Sequence, residues 1–172
     1  MDVQGQQSSA PTRDNRGHDS RRHTFGLGSD QRQHDHEVLD IARVVRVVKG
    51  GRRFRFRVTV LVGDRAGRVG FGIGKSKDVQ QAIQKAQNQA TRNLAPIAIT
   101  DAGTIKHQVE ARFKGGRVML RPARPGTGII AGGVIRTLAD LAGIKDLVSK
   151  SSGSPNKISV VQATLRALAD LS

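Results

Sequence analysis

The chain contains no cysteine, no tryptophan and no tyrosine, and its 172 residues include only five phenylalanines. Without cysteine it has no disulfides and no thiolate metal sites, which fits a reducing compartment. Acidic residues are also scarce, with 14 Asp and Glu against 29 Lys and Arg, a net charge of +15. No apolar run approaches the ~18 residues of a spanning helix, and no basic amphipathic helix dominates. An anionic membrane surface is therefore the weaker partner, and nucleic acid the stronger one, for a chain whose charge strains a compact monomer until a polyanion neutralises it. The length suits one medium domain or two small ones.

The excess charge is unevenly placed. Residues 1–36 hold five arginines and five aspartates, which cancel, with much Gln, Ser and Gly and almost no large apolar residue. Such a segment cannot bury enough surface to offset its ordering entropy, so it is expected to be a disordered tail. It has no signal-peptide core, and its aspartates argue against a transit peptide. His18, His23, His34 and His36 are irregularly spaced and read as solvated, not as metal ligands. The remaining 24 cations and 9 acids belong to residues 37–172.

Residues 38–48 are rich in Val and Ile and read as a strand, followed by the loop Lys49-Gly50-Gly51-Arg52. Residues 53–62 alternate, with Arg53, Arg55 and Arg57 on one face and Phe54, Phe56, Val58, Val60 and Val62 on the other. That pattern predicts a half-buried strand whose core face includes both phenylalanines. Gly63 to Gly67 form a hairpin turn and 68–74 a third strand. Ser76 or Asp78 caps a helix to about Leu94, with Val79, Ala82, Ile83, Ala86 and Ala90 as its buried stripe and Gln84, Gln87 and Gln89 as solvated surface.

The stretch GRVGFGIGKS, 67–76, looks like a phosphate loop. The GxxxxGK[ST] spacing requires glycine where Val69 stands, and GxGxxG from Gly70 requires glycine where Lys75 stands. What remains is Gly70, Gly72 and Gly74 at period two, a strand face without side chains. One reading is that a helix packs on that face, the other that an RNA backbone approaches it closely, with Lys75 and Lys77 flanking a helix N-terminus suited to anions. The two can hold at once.

The second region reads as ββαβα, with strands at 104–113 and 117–121 joined by Lys114-Gly115-Gly116. A helix carrying Val134, Ile135, Leu138 and Leu141 stops at Gly143, and a short strand at 144–150 follows. The final helix starts from Asn156 and buries Val160, Val161, Leu165 and Leu168. This is α+β with a sheet whose helices lie on one face. Gly126, Gly128 and Ala131 satisfy GxGxxG/A, and Asp146 lies 20 residues after Gly126. Pro122 and Pro125 nevertheless break the tight turn, and too little chain follows for a dinucleotide fold. Backbone N–H groups there, beside Arg121 and Arg124, still suit a phosphate.

Catalytic constellations are missing. His107 stands alone, with Glu110 at i+3 on the opposite face of a strand, while Asp64 and Asp78 fit a turn and a helix start. No catalytic residue, metal or cofactor is expected. The basic residues instead form two acid-free runs. Arg43, Arg46, Lys49, Arg52, Arg53, Arg55 and Arg57 span the first hairpin, and Arg112, Lys114, Arg117, Arg121 and Arg124 surround the second. With Phe54 and Phe56 assigned to a core, phosphate and groove contacts with structured RNA are favoured over base stacking.

VVKGGRRFRFRVTVLVGDRAGRVGFGIGKSKDVQQAIQKA (47–86), GTGIIAGGVIRTLADLAGI (126–144) and GSPNKISVVQATLRAL (153–168) resemble the fifth protein of the small ribosomal subunit, bacterial type. The likeness runs over about 38–171. It implies a double-stranded-RNA-binding-like βββα domain at 37–101 and a ββαβα domain with a left-handed crossover at 102–172, after the tail of 1–36. It further implies a structural role in the ribosome of the cytoplasm, on small-subunit RNA near the path of incoming messenger RNA, with effects on assembly and decoding accuracy. Lys49, Gly50, Gly51, Arg52 and Arg53 match the family's RNA-contacting hairpin near the spectinomycin site. Gly115, Gly116 and Arg117 match its contact with the fourth small-subunit protein, and the second domain is expected to touch the eighth. The sequence departs from the family at Arg65, where a small or polar turn residue is usual, in the long tail, and in a nearly absent C-terminal extension.

Overall fold

The computed structural model describes residues 34–171. Most of the expected tail, with His18 and His23, lies outside the described residues. Asp35 and His36, placed in the tail on sequence grounds, already belong to the first strand.

Four antiparallel strands make the first sheet: β1 (Asp35–Val48), β2 (Gly51–Gly63), β3 (Arg68–Ser76) and the two-residue β4 (Ala95–Pro96), in that order. Helix α1 (Val79–Arg92) connects β3 to β4. The second sheet contains β5 (Val109–Phe113), β6 (Gly116–Pro122), β7 (Ile129–Ile130) and β8 (Leu147–Gly153), in the order β5-β6-β8-β7. Helix α2 (Gly133–Ala142) joins β7 to β8, which run parallel, and α3 (Lys157–Ala169) follows β8. The expected strand at 104–113 begins only at Val109. Thr100 and Thr104 fold the chain before it into a turn, with the Thr100 N–H donating to the Thr104 carbonyl at 2.9 Å. His107 is therefore an exposed loop residue, not a strand residue. β7 leaves no mark in the sequence, because two residues carry no period.

Helix α1 decides what the alternating glycines do. Ala82, Ala86 and Ala90 are fully buried. A Cβ added at Gly74, Gly72 or Gly70 would overlap the backbone carbonyl oxygen of Ala82, Ala86 or Ala90 respectively. Four helical residues advance about 6 Å and two strand residues about 6.7 Å, so alanines at i, i+4 and glycines at i, i+2 stay in step. The bare face is filled by the helix. Asp78 is the N-cap residue, but its side chain makes no capping bond; Ser76 ends β3 and its hydroxyl donates to Gln81 Oε1 at 3.0 Å. Gln89 is not idle surface, since its Oε1 accepts from the Ile73 N–H at 2.9 Å along the outer edge of β3.

The opposite face of the first sheet packs on the second half of the chain. Leu61, Val69 and Phe71 share one core with Ile105, Leu120, Leu138 and Val161, while Val58, Val60 and Val62 form a second cluster with the α1 alanines. The turn after β2 locks this junction. The Arg65 and Gly67 N–H groups donate to the Leu141 and Ala142 carbonyls, both at 3.0 Å, satisfying the end of α2. Gly143 takes the left-handed conformation at the α2 C-cap, as its place after the apolar stripe predicts. Asn156 caps α3 by accepting from the Ile158 N–H at 3.1 Å.

Candidate nucleic-acid interface

The register of β1 and β2 sorts the ribbon's side chains. Val44 faces Arg55, Arg46 faces Arg53 and Ala42 faces Arg57, while Arg57 in turn faces Lys75 of β3. Paired residues of an antiparallel ladder share a face, so Arg46, Arg53, Arg55, Arg57 and Lys75 form one basic surface. Arg46 and Arg53 stand directly opposite each other, a like-charge pair that destabilises an isolated hairpin. From Ile41 to Gly63 there are seven cations and no acid. Among the described residues, no carboxylate pairs with Arg43, Arg46, Lys49, Arg52, Arg53 or Arg55; the ion pairs lie elsewhere, at Arg65–Asp35, Arg68–Asp64, Arg117–Glu110 and Lys157–Asp40. Among the described residues, these cations thus have no carboxylate partner, although the Arg43 guanidinium lies over the Phe54 ring. Arg57 is the exception in accessibility, being half-buried with its Nε shielded from solvent.

A hollow of about 340 Å³ opens on this face, lined by Val44, Arg46, Val48, Arg53 and Arg55 among others. Its walls are cationic and aliphatic and hold no acid, base or nucleophile. Among the described residues, no group of His, Asp and Glu is arranged to hold a metal ion, and no helix is long and apolar enough to cross a membrane. Lys49 and Gly50 form the tight turn at the ribbon's tip, and Gly51 opens β2 with φ +132°, a conformation that favours glycine. Lys77, exposed just before α1, stands apart from the arginine face at the helix N-terminus.

The other ribbon face corrects the sequence reading. Phe54 is 41% exposed, and Val45, its partner across the ladder, 48%. Val47 and Ile41 lie on the same face at 75% and 51%. Alternation identified which side chains share a face but not where its cover ends. Fourteen residues of α1 span about 21 Å, whereas thirteen of β2 span about 43 Å. Half of that strand face is left bare, and this mismatch of lengths was the signal available in the sequence.

Arg121 and Arg124 do not join the ribbon. Arg121 projects from the second sheet on the face away from Leu120, and Arg124 lies in the loop beyond Pro122. The nearby fingerprint lookalike is used internally, because the Gly128 N–H donates to Asp146 Oδ1 at 2.7 Å and Asp146 is buried. At the β5–β6 turn, Gly115 and Arg117 are exposed, but Gly116 is buried against Ser159. Arg166 and Lys114 both lie over the Phe113 ring, at 4.6 and 5.6 Å from its centroid, steadying that turn.

Two family descriptions match the chain in order. Residues 34–98 match "Ribosomal protein S5, N-terminal domain", and residues 111–172 match "Ribosomal protein S5, C-terminal domain". The chain is also similar to proteins named "Small ribosomal subunit protein uS5" from Campylobacter jejuni subsp. jejuni serotype O:23/36 (strain 81-176) and serotype O:6 (strain 81116 / NCTC 11828). Each is 51% identical over 131 residues, covering 76% of this chain and 88% of the relative.

Proposed function

Because the chain belongs to the ribosomal protein S5 family, we propose that it is a structural constituent of the small ribosomal subunit that binds ribosomal RNA. The observation that carries the RNA reading is the acid-free stretch of the ribbon from Ile41 to Gly63, with Arg46 set against Arg53 and no carboxylate in it to neutralise either. Such a surface reaches its lowest free energy against phosphates, through counterion release and charge-assisted hydrogen bonds. Arg43, Arg46, Lys49, Gly50, Gly51, Arg52, Arg53, Arg55 and Arg57 form the proposed principal contact, with Lys75 extending it. Lys77 lies beside it, and Arg121 and Arg124 form a second contact on the other sheet. The proposed domains are 37–101 and 102–172, with β7–α2–β8 as the place of the left-handed crossover.

Within the cytoplasmic ribosome, the proposed position is near the path of incoming messenger RNA, where the protein would support subunit assembly and decoding accuracy. Gly115 and Arg117, on a turn shaped by buried Gly116, are the proposed contact with the fourth small-subunit protein, and the second domain the contact with the eighth. The expected result is that the protein sediments with small subunits and stays with them through a high-salt wash. Recovery only in free RNA complexes would instead make it a regulator that binds double-stranded RNA outside the ribosome.

A further inference from the structure

We infer that the ribbon is two-sided, and that the face opposite its phosphate-binding arginines receives unstacked RNA nucleobases on Phe54 and Arg43. This rests on the RNA reading of the ribbon and adds a second mode of contact to it. The exposed apolar side chains of β1 and β2 (Ile41, Val45, Val47 and Phe54) all fall on this one face. Phe54 is not a bare ring: the Arg43 guanidinium lies over it, 3.8 Å from the centroid. One ring face is thus occupied by a planar cation, and the pair presents a flat, polarised surface of the kind on which bases stack.

The size and charge of the surface decide what covers it. The stripe from Val47 to Ile41 is about 20 Å long and, on a two-stranded ribbon, about 10 Å wide. That is on the order of 200 Å², against ~800 Å² per partner in a standard protein interface. A protein segment docking here would bury too little to hold, and it would have to be acidic to balance Arg43 and Arg52, which meet no acid between Ile41 and Gly63. A nucleobase fits both constraints. It is flat, needs one ring's area, and brings its own phosphate to the cations at the rim.

The test uses the full-length protein with two probes, a short oligoadenylate and an abasic oligomer carrying the same number of phosphates. The wild-type protein is expected to bind the base-containing probe more tightly, by roughly tenfold per stacked base. Phe54→Leu should abolish most of that preference while leaving the salt dependence of binding unchanged, since no cation is lost. Val47→Ser, at the most exposed position of the stripe, should reduce the preference in the same direction, and unaltered thermal unfolding would show that both variants fold. Arg53→Gln with Arg55→Gln should do the reverse, lowering the salt slope and keeping the base preference. Equal binding of both probes by wild type, or an unchanged preference in the Phe54 variant, overturns the inference even where the arginine variants behave as expected. If Phe54→Leu instead releases a neighbouring protein from the small subunit with RNA binding intact, the face belongs to a protein partner and the inference is wrong. If the arginine variants leave the salt slope untouched, the RNA reading of the ribbon is itself at fault.

Discussion

Replacing Gly72 with alanine asks whether the glycine strand exists to admit a helix. The new Cβ would overlap the Ala86 carbonyl oxygen and lie 2.7 Å from the Ala90 nitrogen. Both obstacles are backbone atoms in the middle of α1, so no side-chain rotation relieves them. The helix has to lift by about 1 Å, and a gap of that size forfeits a quarter to a half of each dispersion contact it opens. Those contacts join Ala82, Ala86 and Ala90 to Val58, Val60 and Val62, nearly all of the smaller core. The cost belongs at the upper end of overpacking substitutions, roughly 3 kcal/mol. For a folded region of this size that is a fall of about 10 °C in Tm. Gly50→Ala is the control, because a Cβ there meets nothing within 4 Å and its φ is not in the left-handed region. Thermal and urea unfolding of both variants read the difference. A Gly72 variant as stable as the Gly50 variant would refute the packing account and reopen the glycine face to another occupant.

Two further outcomes are expected. Asp64 is mostly buried, which by itself raises a carboxyl's pKa. The Ala66 N–H, the Arg68 side chain and the Arg68 N–H all donate to it, and with the Arg68 charge they outweigh burial and hold it below the usual carboxylate range. A depressed folded value contributes stability in full above the unfolded pKa near 4 and loses it as the pH falls through the folded value. Asp64→Asn should therefore cost roughly 1 kcal/mol at pH 7, with the gap closing in more acidic solution; a gap independent of pH would contradict it. Exchanging Arg46, Arg53 and Arg55 for glutamine should weaken RNA binding and lower its salt slope by roughly one unit per lost phosphate contact, measured as affinity against salt concentration.

Much of this architecture was legible in the sequence because its signals are periodic. The alternation of residues 53–62 set the faces of β2, the i, i+4 alanines placed α1, and Asn156 and Gly143 marked helix ends that the structure keeps. What escaped was set by distance. β7 is a two-residue strand whose pairing with β8 comes from the tertiary fold, and Ile105 is buried from a loop that apolar content alone made strand-like. Alternation places Phe54 on the core face, but the shorter reach of α1 leaves it exposed. In the candidate interface, the acid-free run located the basic residues. The register then showed that Arg46, Arg53, Arg55, Arg57 and Lys75 share one face, and that Arg121 and Arg124 belong to another surface.

The absence of cysteine makes the central claim directly measurable, since an introduced thiol is unique in the chain. Lys49→Cys at the ribbon tip and Thr91→Cys on the exposed side of α1 can each carry a hydroxyl-radical-generating iron chelate into reconstituted small subunits. Strong cleavage of the ribosomal RNA from position 49, confined to one short region and exceeding that from position 91, is the predicted result. RNA left intact from position 49 in subunits that contain the protein would show that the basic ribbon does not lie against ribosomal RNA.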